Sequence, residues 1–304
     1  MSLSASLAID IVSQAALKAF NAAIAPLKAF STDFSADAVQ VGKKILFTWT
    51  PAGATVNDYN AQNGYVTEAP TQLPKELPID KNKYVGFEYT DDQLATLSMM
   101  KLDDIGKQYG AALAEAVIAD IWSLITAANY GAAAYDADPA DFDSDDVLDI
   151  GKVCTDAKWP KAGRNMILNP DCYVALCKDP AVKTASAFGG TEAIRQGVIP
   201  ALGTFENIFE STVIPANAEN LLGFAVNTEA IGVAFRAIQP DATAQMVMNY
   251  QVFSDESGMT IAFKEWYDTK FKTTRRVLEV NYGKCVGNPA GIKRIVGQAG
   301  QGVI

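Results

Sequence analysis

The sequence predicts an α+β protein. Three stretches carry that prediction: a long Ala-rich helix over residues 103–129, a β-rich run over 44–89, and three alternating strands between 245 and 282. In the helix, Ile105, Tyr109, Leu113, Val117, Ile121 and Ile125 recur every fourth position. A helix needs 3.6 residues per turn, so this apolar stripe drifts around the axis, by roughly 200° over twenty residues. Its two ends must therefore bury against different partners. That pattern suits a rod laid across a protein better than a helix sunk in one core. Gly106 and Gly110, near its start, allow close backbone approach at a propensity cost of ~1 kcal/mol each.

The remaining elements follow in chain order. Residues 4–30 read as an amphipathic helix with an echoed LKAF, interrupted by Pro26. Leu7, Ile11, Phe20 and Ile24 need a partner, because a short isolated helix is marginal in water, and the segment reads as an arm. Residues 44–89 are punctuated by Pro51, Pro70, Pro74 and Pro78 and hold no helical pattern. Compact domains rarely contain a plain loop of that length, so a long projecting β-hairpin is expected. Trp49, Tyr59 and Tyr65 would lie on it, either as ordinary strand packing or as exposed contacts for a partner.

Thr90 then opens a helix start, TDDQ, ahead of the long helix. An acidic passage follows, with seven aspartates between Asp136 and Asp149. It lacks the sixth-position glycine and closing glutamate of a calcium loop, and Ser144, Asp145 and Asp146 read as the cap of a helix running to Ala157. Beyond Pro160 the pattern alternates: strand at 165–168, a helix opened by Asn169-Pro170-Asp171, a helix at 192–196, strands at 204–210 and 223–226, a short helix at 228–231, and a strand to Ala237. This predicts a small α/β lobe of mixed strand order. Gly189-Gly190-Thr191 has no P-loop lysine after it and reads as helix entry. Strands at 245–253, 259–267 and 275–282 form an antiparallel sheet, the first two joined by a turn at Asp255-Glu256-Ser257-Gly258.

Composition excludes several function classes. The 304 residues are 49% hydrophobic, enough for a substantial core. A net charge of -10 argues against a chain that coats itself in nucleic acid, since that affinity comes largely from Lys and Arg neutralising phosphates. The charge is uneven: from Lys264 onward there are eight Lys/Arg and three Asp/Glu, a balance of +5 that leaves -15 on the rest. The basic C-terminal strands, with Arg275 and Arg276, are either a solvated face or a contact for the acidic surface of a neighbouring copy. The N-terminus lacks a basic leader region, and Glu115 and Asp120 interrupt the best apolar run, so neither a signal peptide nor a membrane span is expected. A soluble protein made in a cytoplasm is the expectation.

Catalysis is not expected. There is no histidine, which removes the usual general base, the usual metal ligand and every imidazole triad. Cys154, Cys172, Cys177 and Cys285 lack zinc or redox spacing and read as buried free thiols. Adjacent carboxylates such as Asp91-Asp92 and Asp103-Asp104 point in different directions on a helix. A hydrolase built on two carboxylates from distant positions stays as an alternative. No catalytic, cofactor or metal residue is assigned.

The order of elements resembles the major capsid protein of tailed bacteriophages, the Hong Kong 97 fold shared with encapsulin shells. Phrases at 63–94, 163–176, 199–215, 223–236 and 254–287 resemble that family in the right order, covering most of the chain from about residue 44 onward. The resemblance implies an N-terminal arm at 1–43 and an extended β-hairpin loop at 44–90. It implies a peripheral domain with the spine helix at 91–135 and 245–304, and an axial α/β domain at 136–244. It further implies a shell subunit forming pentamers and hexamers around double-stranded DNA. Extended loops would lie over neighbours, so Trp49, Tyr59, Tyr65, Arg275 and Arg276 are the candidate intersubunit contacts. Assembly in the host cytoplasm on a scaffolding protein, with a portal, belongs to the same expectation. DNA would be held without sequence-specific binding, and the acidic balance suits a wall that does not grip it. An encapsulin-like cargo compartment is the alternative within the resemblance.

Overall fold

A computed structural model describes residues 5–30, 44–49, 56–59, 62, 64, 65, 67, 73–96, 99–184, 199, 201–236, 249–254 and 260–297. The glycine turn at 189–191, the helix expected at 192–196 and the turn at 255–258 lie outside them. In chain order the elements begin with helix α1 (Ala5–Ala23), closed by a 3-10 turn at Ala25–Ala29 with Pro26 in its first positions. Strands β1 (Lys44–Trp49), β2 (Leu73–Pro78) and β3 (Lys81–Thr90) lead into helices α2 (Asp91–Thr96), α3 (Met99–Trp122) and α4 (Ala127–Tyr130). Next come β4 (Tyr135–Ala137), α5 (Ser144–Asp156), β5 (Arg164–Leu168), α6 (Pro170–Lys178), α7 (Pro180–Thr184), β6 (Asn207–Glu210), β7 (Leu221–Asn227) and β8 (Ile231–Phe235). The chain closes with β9 (Asn249–Ser254), β10 (Thr260–Asp268), β11 (Thr273–Val286) and β12 (Ile292–Gly297).

Helix boundaries follow local chemistry. At the start of α2, the Gln93 amide donates to Thr90 Oγ1 (3.3 Å) and the Thr90 amide donates to Gln93 Oε1 (3.1 Å), a reciprocal capping box. Asp143 caps α5 in the same way with Asp146, one residue earlier than the expected Ser144. Asn169 caps α6 by accepting from the Cys172 amide at 3.0 Å. The helix expected to reach residue 129 stops at Trp122 instead. Ser123 Oγ donates to the Asp120 carbonyl at 2.6 Å, and Asn217 Nδ2 donates to the carbonyls of Trp122 (3.2 Å) and Ile125 (2.5 Å), so side chains take the bonds that further helix would have made.

Two sheets of five strands organise the chain. The first runs β3-β11-β10-β9, with β8 pairing the far end of β11. The second runs β4-β12-β7-β5-β6 and mixes parallel with antiparallel pairs. β11 is long enough, at 14 residues, to pair β3 over 273–282 and β8 over 282–286. Three differences from the sequence reading concern these sheets. β3 belongs to the first sheet, so only β1 and β2 form the hairpin ribbon. The short helix expected at 228–231 is a turn, and Ile231 already begins β8, where the chain crosses from the second sheet to the first. β12, among residues grouped by pattern with the C-terminal strands, sits between β4 and β7 in the second sheet.

α3 ties the sheets together. An added Cβ at Gly106 would lie 2.6 Å from the Val12 carbonyl oxygen, and one at Gly110 would lie 2.3 Å from that of Ala16, so α1 crosses α3 backbone to backbone. Phe20 of α1 and Ile24, just past its end, are buried in the same core as Leu113, Val117 and Ile121, each such side chain contributing roughly 1.5–3 kcal/mol. The partner that α1 needs is thus α3 of its own chain. Early in α3, Tyr109 stacks on Phe87 of the first sheet at 4.8 Å; at its end, Trp122 meets Phe224 of the second edge-on at 5.8 Å. The drifting stripe does serve two partners.

β5 and β7 are buried along their whole length, and their alternation feeds two cores. Ile167, Phe224 and Val226 face the α1–α3 side, whereas Met166, Leu168 and Ala225 face a second cluster with Val147, Ile150, Cys172 and Leu176 of α5 and α6.

Candidate functional site

The β1–β2 ribbon is anchored at one end and open at the other. At its base, Ile45, Leu77 and Ile79 pack against Ala234 and Cys285. Gly283 permits this contact, since a Cβ there would lie 2.3 Å from the Pro78 carbonyl oxygen. Trp49, paired across the ribbon with Leu73, is half-buried against the same small cluster. Farther along the chain, Val56 is 93% exposed, Tyr59 64% and Tyr65 86%, and the two tyrosine rings lie 5.0 Å apart. Side chains of this size are ordinarily placed where something excludes water from them.

The other two predicted contacts are brought together in sequence but not in space. Arg275 and Arg276 are neighbours on β11, so they point to opposite faces. Arg276 differs from the exposed position expected of a contact: it is buried on the inner face, its Nε donates to Glu265 Oε2 at 2.6 Å, and its guanidinium lies 5.9 Å from the Tyr89 ring. Arg275 is half-exposed, pairing with Glu88 at 3.0 Å and Asp268 at 3.2 Å across the β10–β11 turn.

Sequence reasoning missed the outer face of the first sheet. Glu279 accepts from Asn82 (2.7 Å) and Asn281 (2.9 Å) and pairs with Lys264, while Tyr84, opposite it on β3, is exposed. Burial acts to raise the Glu279 carboxyl, but bonds from Lys264, Asn281 and Asn82 outweigh it and hold the group below its ordinary value. Alternating exposure along β3 was the available signal, hidden because the strand was read as hairpin. Between α3 and β11, Asp120 accepts from the Tyr282 hydroxyl at 2.8 Å and pairs with Lys284 at 3.0 Å. Burial works to raise its carboxyl too, and these two partners pull it below its ordinary value.

Burial pushes the Cys154 thiol up to about 11 and that of Cys172 up to about 12, so both remain protonated and unreactive near neutral pH. Among the described residues no group of three or more His, Cys, Asp or Glu is placed to hold a metal ion, and no helix is long and apolar enough to cross a membrane. A groove of about 410 Å3 between the end of α1, α3 and residues 209–213 carries two carboxylates, Glu115 and Glu210, over Ile118, Phe209 and Val213.

Comparison with known proteins agrees with this picture. Solved structures of similar fold include those titled Mycobacterium phage Che8 (19% identity, TM-score 0.57, 89% of each chain covered) and Gordonia phage Cozz (13%, 0.55, covering 91% of this chain and 87% of that one). The capsid of the cyanophage P-SCSP1u is also similar (15%, 0.52, covering 85% and 84%). At such identities the likeness speaks for the fold alone. No curated protein matches the chain. The family model described as phage capsid protein matches residues 75–291, well over half of the sequence. The chain belongs to the phage capsid protein family.

Proposed function

We propose that this chain is the major structural subunit of a tailed-phage head, and that the β1–β2 ribbon is the arm by which one copy holds the next. Family membership supports self-association into a shell. The observation that carries the ribbon's role is the exposed pair Tyr59–Tyr65 on a segment whose base packs against its own subunit. In this reading the ribbon is the extended loop, α3 the spine helix, the first sheet the peripheral domain and the second sheet with α5 and α6 the axial domain. Copies form pentamers and hexamers of an icosahedral shell around double-stranded DNA. Assembly proceeds in the host cytoplasm with a scaffolding protein and a portal as partners, and without catalysis. Trp49, Tyr59 and Tyr65 lie at the contact between copies.

Negative-stain microscopy and sedimentation of the purified protein, with and without scaffold, test the proposal. Closed particles of uniform size are expected. A stable monomer that never assembles under any of these conditions would overturn it.

A further inference from the structure

The end of α3 is a helix that the sequence would continue and the fold interrupts. Leu124, Ala127 and Ala128 are good helix formers, and the stripe of α3 runs on to the buried Ile125. Yet α3 stops at Trp122 and α4 starts afresh at Ala127, after an extended Thr126. Side chains take carbonyls that a continuing helix would use. Asn217 Nδ2 donates to those of Trp122 (3.2 Å) and Ile125 (2.5 Å), Asn129 Nδ2 to that of Leu124 (2.7 Å), and Ser123 Oγ to that of Asp120 (2.6 Å). On the far side of the break the Ala127 amide donates to Glu219 Oε1 at 3.0 Å. Glu219 in turn pairs with the buried Arg294, whose Nη2 donates to the Gly131 carbonyl at 2.5 Å.

Asn217 and Glu219 belong to the loop between β6 and β7, and that loop is strained. Asn217, Ala218 and Asn220 have φ of 48°, 60° and 52°. Asparagine tolerates this left-handed region, but alanine does not, and the exposed side chain of Ala218 gains nothing by it. Arg294 Nε, moreover, is buried without a hydrogen-bond partner among the described residues. A helix broken against its local preference, gripped by strained backbone, marks an element with two arrangements.

We propose that residues 123–126 are a conformational switch kept broken by a sprung clasp. With Asn217 and Glu219 engaged, α3 and α4 are separate; with them released, the two join into one helix over 99–130. α4 is tied to the second sheet, since the Tyr130 hydroxyl donates to the Ala230 carbonyl at 3.0 Å and the Ala134 amide donates to the Arg294 carbonyl at 2.9 Å. Joining the helices therefore swings the second sheet relative to α3 and the first. The inference rests on the shell reading for its use: one sequence that fills both fivefold and sixfold rings needs two shapes, and this is the joint at which the subunit changes between them.

Electron cryomicroscopy of assembled particles reads the switch directly. Residues 123–130 should continue α3 in one class of ring position and be broken from it in the other. Three variants push the switch in known directions. Asn217→Ala removes two bonds of the clasp and should raise the joined form of the free subunit about tenfold, read from the Ile125 methyl signals by NMR. Ala218→Gly relieves the loop and should lower the joined form about threefold. Ala127→Pro suits the first position of α4, after an extended residue, but cannot stand inside one long helix, so it should give a folded subunit and no closed particles. A break at every ring position, or normal particles from Ala127→Pro, would overturn the proposal while leaving the shell reading intact. Failure of the parent itself to form particles would strike the shell reading. Ile125 signals identical in the parent and Asn217→Ala would overturn the switch whether or not particles form.

Discussion

The N-terminal helix and the β1–β2 ribbon look alike in sequence: each is a segment outside the main alternation, with apolar side chains in need of a partner. Their outcomes differ. α1 finds its partner within the chain, because Gly106 and Gly110 let it lie directly on α3 and sink Phe20 and Ile24. The ribbon finds one only at its base, where Gly283 admits Pro78, and Tyr59 and Tyr65 remain bare. In the proposed reading, the first segment is completed by folding and the second by association. Damage to the first should therefore cost stability, and damage to the second should cost assembly.

The sharpest test on the closed side is Arg276→Ala. It removes the guanidinium that donates to the buried Glu265 carboxylate, and should destabilise the subunit by about 3–5 kcal/mol, read from urea unfolding. Arg275→Ala, on the half-exposed face one residue away, should cost no more than about 1 kcal/mol. Gly110→Val should cost roughly 3 kcal/mol, since the new side chain must push α1 away from Ala16. Helicity and assembly should then fall together.

Acid probes the ion pairs on the sheet and beside α3. The Glu279 and Asp120 carboxyls are held below their ordinary values, so the folded state binds their protons less tightly than the unfolded chain does. Their contribution is complete above the unfolded carboxylate range, near about pH 4, and is lost as pH falls through the lower folded values. The melting temperature should be flat from neutral pH to about pH 5 and decline below about pH 4, and Glu279→Gln should flatten that decline. The smallest effect on folding belongs to Tyr59→Ser/Tyr65→Ser. Stability should change by less than about 0.5 kcal/mol, because exposed side chains have little to lose, while sedimentation should show fewer particles.

What the sequence revealed and what it hid have a common physical cause. Features set by near neighbours were legible: the drifting stripe of α3, the close approach at Gly106 and Gly110, the Asn169 cap, the three strands of the first sheet. Features set by remote partners were not. Nothing near Trp122 announces that Asn217 takes its carbonyl and stops the helix. β12 is not among the strands that the pattern predicts, and its place is set by β4 and β7 on either side. Arg275 and Arg276 look equivalent until strand alternation buries one against Glu265 and leaves the other half-exposed. Of the candidate contacts, Tyr59 and Tyr65 are exposed, which is one of the two readings the sequence leaves open.

The claim that the ribbon serves association and not folding is tested most directly by deleting residues 52–74 and comparing thermal melting with electron microscopy of the same preparation. The account predicts a subunit that melts cooperatively near the parent temperature and forms no shells. Normal particles from the deletion would contradict it, and so would loss of the folded subunit, which would place the ribbon in the core.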